Sequence, residues 1–225
     1  MPELPPHLIA ALTGFIFGLV LCLPVGPVNL AIVEGARRGF KWAALIGLGA
    51  TTMEVIYCAI AFTSFAAFFQ KGVIKSAMEV FSFAFMLFLG VRFLVAKPGP
   101  VMEKIEHKFE TRIEEKLHPH SAFMIGFVRT LANPGVLIGW VVLGANFISR
   151  GWVEPNWEGK LSCLAGVATS IGLWFIGLSW AVSVGHRKYS PQTMRRLEQV
   201  AGIGLIVFAL FHGAYIAMNL AKGRM

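Results

Sequence analysis

The stretch Leu23-Pro24-Val25-Gly26-Pro27-Val28-Asn29 decides how the chain folds, because it lies inside a long apolar run and cannot continue a helix. Pro24 and Pro27 each lack an N–H, so the carbonyls of Val20 and Leu23 lose their usual helical partners. Gly26 between them tolerates backbone angles that other residues avoid. A second half-helix can restart with Gly26 near its N-cap and Pro27 at its first position, where proline is favoured. The N–H groups of Val28, Asn29 and Leu30 would then face the gap. In hydrocarbon, broken backbone is tolerated only where it is buried in protein or lines a cavity. Pro24, Gly26, Pro27 and Asn29 are therefore the leading candidates for a substrate-binding site.

The surroundings of this break are those of a membrane protein. The chain has 225 residues, of which 56% are hydrophobic and 14% charged, with a mean hydropathy of +0.67. A soluble domain carries about 25% charged residues. The charges fall between six apolar runs, residues 8–33, 40–64, 73–96, 121–148, 161–184 and 201–220, each long enough to cross about 30 Å of hydrocarbon. Residues 1–7 hold no Lys or Arg, and no small-residue cleavage site follows the first run, so it reads as a retained span rather than a removable signal. Little chain remains for a soluble domain.

A net charge of +8 with a pI near 9.7 raises the question of nucleic acid, and the distribution answers it. Twelve lysines and arginines follow spans one, three and five, among them Arg37, Arg38, Lys41, Lys104 and Arg187; six lie on the opposite side. The positive-inside rule then puts both termini outside the cytoplasm. The basic excess is a topology signal, and no nucleic-acid partner is expected.

Span four repeats span one. Phe15, Gly18, Val20, Leu23 and Val28 recur as Phe123, Gly126, Val128, Leu131 and Val136, and Ala50-Thr51 recurs farther on as Ala168-Thr169. Each of the two spans contains a break, the second at Asn133-Pro134-Gly135. Three spans per half is an odd number, so the halves are expected to be inverted in the membrane. The expected fold is an all-α integral membrane domain of six helices, with broken helices one and four. Repeat one covers 8–96, a cytoplasmic amphipathic linker 97–120 and repeat two 121–221. The linker's apolar stripe is Met102, Ile105, Phe109, Ile113 and Leu117, at helical spacing on a charged helix.

Several residues in this frame can carry chemistry. Glu54 falls near the middle of span two, where a charge is expensive; it either donates one structural hydrogen bond as a neutral acid or couples transport to protons. Asn133 and Pro134 make an N-cap and first-position pair, so a second half-helix N-terminus faces the gap. Two positive helix ends suit an anionic group, and freed carbonyls suit an ammonium. Arg129 either clamps a carboxylate or snorkels to the cytoplasmic surface. Asn29 either bonds substrate or caps backbone. Thr51 and Thr52, with Thr169 and Ser170 opposite, are candidates to line the pathway. His212, with Tyr215 nearby, is either a packing residue or a second proton-coupling group. Gly14 and Gly18 form a small-xxx-small pattern that permits close helix approach or dimerisation, and Gly166, Gly172, Gly177, Gly202 and Gly204 read as close-packing positions. No nucleophile–base pair, metal-ligand spacing or phosphate-binding glycine loop points to an enzyme or a cofactor.

Gly18, the segment Pro24-Val25-Gly26-Pro27-Val28-Asn29, Gly35 and Gly39, and Gly47 and Gly49 before an intramembrane acid resemble the LysE/RhtB family of amino-acid exporters. So do Phe123 and Gly126 followed by Leu131, Asn133 and Pro134. The resemblance runs over essentially the whole chain. It implies six spans, an inverted repeat and export of amino acids or related solutes from the bacterial cytoplasm through the inner membrane against an inward proton flow. Such a small unit is compatible with a homodimer. Two departures stand out: the acid is Glu54 where the family usually has Asp, and Gly135 follows Asn-Pro where many members have Lys. Two rival readings are an exporter of divalent cations and a thiol-based membrane redox protein built on Cys22-Leu23-Pro24. The first wants more carboxylates, thiolates or imidazoles than Glu54 and His212 offer. The second meets Thr130, not cysteine, at the repeat-equivalent position, and Cys58 and Cys163 lie in other spans.

Overall fold

The computed structural model describes residues 4–23, 26–62, 72–95, 121–184 and 191–221. Pro24 of the first break and the amphipathic linker expected over 97–120 lie outside the described residues, as does the side chain of Tyr215. The described chain is helical. Helix α1 runs Pro6–Cys22, α2 Pro27–Gly35, α3 Phe40–Ile60, α4 Gly72–Val95, α5 Ala122–Leu131, α6 Pro134–Ser149, α7 Trp157–Val184 and α8 Pro191–Ala221.

The local causes of these boundaries are visible in the residues. Proline begins α1, α2 and α6, where its fixed φ suits the first turn and its missing N–H costs nothing. Gly26 is extended, with φ −104° and ψ −178°, and α2 leaves it at 76° to α1. Ser121 caps α5 by accepting from the Met124 N–H at 3.2 Å. Asn133 caps α6 by accepting from the Gly135 N–H at 3.0 Å, and the α5–α6 bend is 66°. After α2 a short 3-10 turn, Ala36–Arg38, ends on Gly39 at φ +104°, a left-handed angle that glycine adopts without a Cβ clash.

Helices α3 and α7 are each long and apolar enough to cross a membrane. The bent pairs α1–α2 and α5–α6 each qualify as one broken span, giving up to four among the described residues. The expected third and sixth spans fall on α4 and α8, whose apolar stretches are shorter, Phe83–Val95 and Gly202–Met218.

The packing exchanges helices between the two halves. Helix α1 packs chiefly on α7, α5 on α3, α4 on α8, and α3 and α7 cross each other. Small residues set the first two pairings. A Cβ on Gly14 would run into the Cys163 backbone, one on Gly18 into Ser170, and one on Gly166 into Ala11. At the other crossing a Cβ on Gly49 would meet the Phe123 carbonyl and one on Gly126 the Ile46 carbonyl. Lipid tails are as apolar as leucine, so such backbone approach and dispersion, rather than burial from water, hold helices together. The Gly14–Gly18 pattern thus serves a contact within the chain. Of the five glycines expected to pack closely in the second half, Gly166 and Gly202 do so. Among the described residues, Gly172, Gly177 and Gly204 have nothing near a Cβ position.

Candidate functional site

Both breaks lie at the seam between the halves, and side chains from the opposite half reach across to them. Asn29, buried on the first turn of α2, donates through Nδ2 to the Cys22 carbonyl at 3.2 Å. Its Oδ1 accepts from Trp174 Nε1 of α7 at 3.3 Å. At the second break the Leu131 carbonyl accepts from the buried Tyr57 hydroxyl of α3 at 2.8 Å. Each break therefore has a carbonyl that has lost its helical N–H and gained a side-chain donor. The bond to Cys22 is the geometry of the backbone cap that is one of Asn29's two expected roles. The Cys22 and Leu131 carbonyls are thus both engaged by side chains.

Arg129 lies one turn before the second break, yet it is half-buried and donates through Nη1 to the Pro27 carbonyl at 3.2 Å. Its guanidinium thus reaches the backbone of the first break. Asn133 and Pro134 take the cap and first-turn positions of α6. The N-cap of α2 is Gly26, which has no side chain to offer its first N–H groups.

Glu54 lies on the buried face of α3, 7% exposed. Its Oε2 accepts from Nε1 of Trp140 on α6 at 2.5 Å, and Trp140 is fully buried. A lone carboxyl in a dry interior must find a donor or stay neutral, and here the donor comes from the second broken span. Thr51, one turn earlier, is half-buried and donates to the Gly47 carbonyl at 2.8 Å. Thr52 and Thr169 are exposed and bonded within their own helices, to the Leu48 and Ala165 carbonyls. Ser170 is buried against Gly18 and donates to Val167.

His212 belongs to a different cluster. It is 1% exposed, pairs through Nδ1 with Arg150 and stacks on Phe208, with ring centroids 6.5 Å apart. Phe208 in turn packs on Phe17 and Trp152, at 4.7 Å and 5.7 Å. The structure thus brings Asn29, Arg129, Pro27 and the Asn133 break to one seam, sets Glu54 against α6, and gives His212 separate partners. Sequence reasoning missed Tyr57, Trp140 and Trp174. Each reads as an apolar core residue, and its polar tip becomes informative only once a partner far along the chain is known. Cys22, Cys58 and Cys163 are free buried thiols, and those of Cys58 and Cys163 meet across α3 and α7 although no Cys-x-x-Cys exists. Among the described residues no three His, Cys, Asp or Glu side chains gather to hold a metal.

Comparison with known proteins bears on the chain as a whole. A family model described as LysE type translocator matches residues 19–214. The chain is 24% identical over 204 residues to a Bacillus subtilis (strain 168) protein named "Putative amino acid efflux protein YcgF", covering 90% of this chain and 94% of that one. A shorter match, 31% identical over 108 residues, is to "RHOMBOID-like protein 12, mitochondrial" of Arabidopsis thaliana and covers 42% of this chain and 31% of that protein. No solved structure matches the chain.

Proposed function

The chain belongs to the LysE type translocator family, and from that premise we propose that it is a multi-pass secondary exporter carrying amino acids or related small solutes out of the cytoplasm by proton antiport. The family and the apolar helices make it a multi-pass membrane protein. The name of the Bacillus relative supports amino acids as the cargo. In this reading six spans form two inverted halves, 8–96 and 121–221, in the bacterial inner membrane with both termini outside the cytoplasm. The exchanged pairing of α1 with α7 and α5 with α3, glycine-lined at both crossings, supports that symmetry.

The observation that carries the reading is the burial of Glu54 beside a broken span. A carboxyl held in protein interior against hydrocarbon is costly to keep as a mere ornament, and it is suited to alternate between neutral and ionised forms. Substrate enters between the halves from the cytoplasm and meets the two half-helix N-termini, whose partial positive charge suits its carboxylate. Arg129 lies at the same seam and supplies the cation that Gly135 does not. Release outside is coupled to proton entry at Glu54.

The test is export into everted membrane vesicles, with labelled amino acids offered with and without a proton gradient. Wild-type protein is expected to accumulate at least one of them only when the gradient is present. Glu54→Gln, at equal expression and with unchanged melting in detergent, is expected to lose gradient-driven accumulation at least tenfold. Undiminished accumulation by Glu54→Gln rejects the coupling role. Divalent cations run in the same assay, and their transport in place of amino acids rejects the cargo.

A further inference from the structure

The hydrogen bond between Glu54 and Trp140 joins the buried acid of α3 to the half-helix that restarts after the second break. An indole N–H is a donor only. The oxygen facing it, Oε2, must therefore act as an acceptor whether Glu54 is neutral or ionised. In the neutral acid the carbonyl oxygen is the better acceptor, so the exchangeable proton belongs on Oε1. The bond strengthens when the proton leaves, because a hydrogen bond to a charged oxygen is roughly twice as strong as one to a neutral oxygen. In a dry interior that difference is not diluted by competing water.

The other titratable neighbours of Glu54 are Cys22 at the end of α1, Tyr57 and Cys58 on α3 and, beyond Cys58, Cys163 on α7. Thiols and phenols in their ordinary ranges are neutral near pH 7. The named contact from α6 is the indole. We propose that Trp140 is a positioning residue through which the proton on Glu54 is read by the second broken helix: ionised Glu54 holds α6 against α3, and protonation loosens that hold. The proposal rests on the antiport reading above and adds to it the element that the proton moves. Trp140 lies six residues inside α6, within two turns of Pro134, so a swing about the break carries the indole away from the carboxyl. The proton and the half-helix are thereby two sides of one equilibrium, as any coupled transport step requires.

The test is the pH dependence of export in everted vesicles for wild type, Trp140→Phe and Glu54→Gln. Phenylalanine keeps an aromatic ring and removes the donor that favours the ionised acid. The half-maximal pH of gradient-driven export is expected to rise by about one unit, the size expected for one hydrogen bond to a charged group. A Trp140→Phe profile that overlays the wild type, at whatever rate, reduces Trp140 to packing and overturns the proposal. A measurement independent of that variant's folding is the indole N–H resonance of Trp140 in protein carrying isotope-labelled tryptophan. It is expected to move with pH in the wild type and to stay fixed in Glu54→Gln; a wild-type resonance indifferent to pH also overturns the link. Failure of the two readings is separable. A Glu54→Gln variant that still accumulates solute sinks the antiport reading, whereas an inactive Glu54→Gln beside an unshifted Trp140→Phe sinks the tryptophan alone.

Discussion

At the scale of single residues, a break inside a membrane helix is a problem of orphaned carbonyls, and this chain answers it twice with a side chain. The Tyr57 hydroxyl serves the Leu131 carbonyl, and the Asn29 amide serves Cys22 while its oxygen takes the Trp174 N–H. A buried polar group left without its partner costs about 1–3 kcal/mol. Tyr57→Phe removes one donor and is expected to destabilise the protein by about that amount, read as a fall in the denaturation midpoint in detergent. Asn29→Leu strips the Cys22 carbonyl and the Trp174 indole together, so its loss should be the larger of the two. If Tyr57→Phe melts with the wild type, the Leu131 carbonyl does not depend on that hydroxyl. The breaks themselves were legible in sequence, because Pro24, Gly26, Pro27, Asn133 and Pro134 act on their own backbone. Their partners were not, since Tyr57 lies 74 residues from Leu131 and Arg129 lies 102 from Pro27.

At the scale of elements, the glycines decide which helices meet and how closely. Gly126 on α5 sits against the Ile46 carbonyl and the Ala50 N–H of α3, both backbone atoms that cannot rotate away. Overpacking a tight site costs about 1–3 kcal/mol for an ordinary added methylene, and backbone on the receiving side puts this crossing at the upper end or beyond. Gly126→Ala is expected to lower folded yield and melting temperature sharply. Gly204→Ala on α8 meets nothing among the described residues and replaces a poor helix former with the best one, so it should be neutral or stabilising by up to about 1 kcal/mol. Equal melting of the two variants would refute the assignment of α5 to α3. Residue type alone does not separate these two glycines. A soluble helix announces its buried face by polar residues on the other; in a bilayer both faces are apolar, so the periodicity that normally reveals the inner side is silent. Gly14, Gly18, Gly166 and Gly202 were recognisable as packing residues, while Gly172, Gly177 and Gly204 look the same in sequence and meet no neighbour among the described residues.

At the scale of the whole molecule, the exchanged pairing of α1 with α7 and α5 with α3 means that neither half has a complete set of helix contacts alone. In sequence the repeat rests on a handful of identities and two breaks, and its inversion is an expectation from the count of spans and the basic loops. Inversion has a direct consequence. Arg37 follows the second half-helix of the first broken span, and Pro155 follows the second half-helix of the other; both are exposed. In two inverted halves these corresponding sites must open to opposite sides of the membrane, with the basic Arg37 turn in the cytoplasm. In a background with Cys22, Cys58 and Cys163 replaced by alanine, Arg37→Cys and Pro155→Cys are to be tested separately with a membrane-impermeant maleimide. Intact spheroplasts are expected to label Pro155→Cys and spare Arg37→Cys, and everted vesicles to reverse the pattern. Labelling of both from one side would leave the halves parallel. The two half-helix N-termini would then enter the seam from the same membrane face, and a single carboxylate could not meet both near the middle of the bilayer.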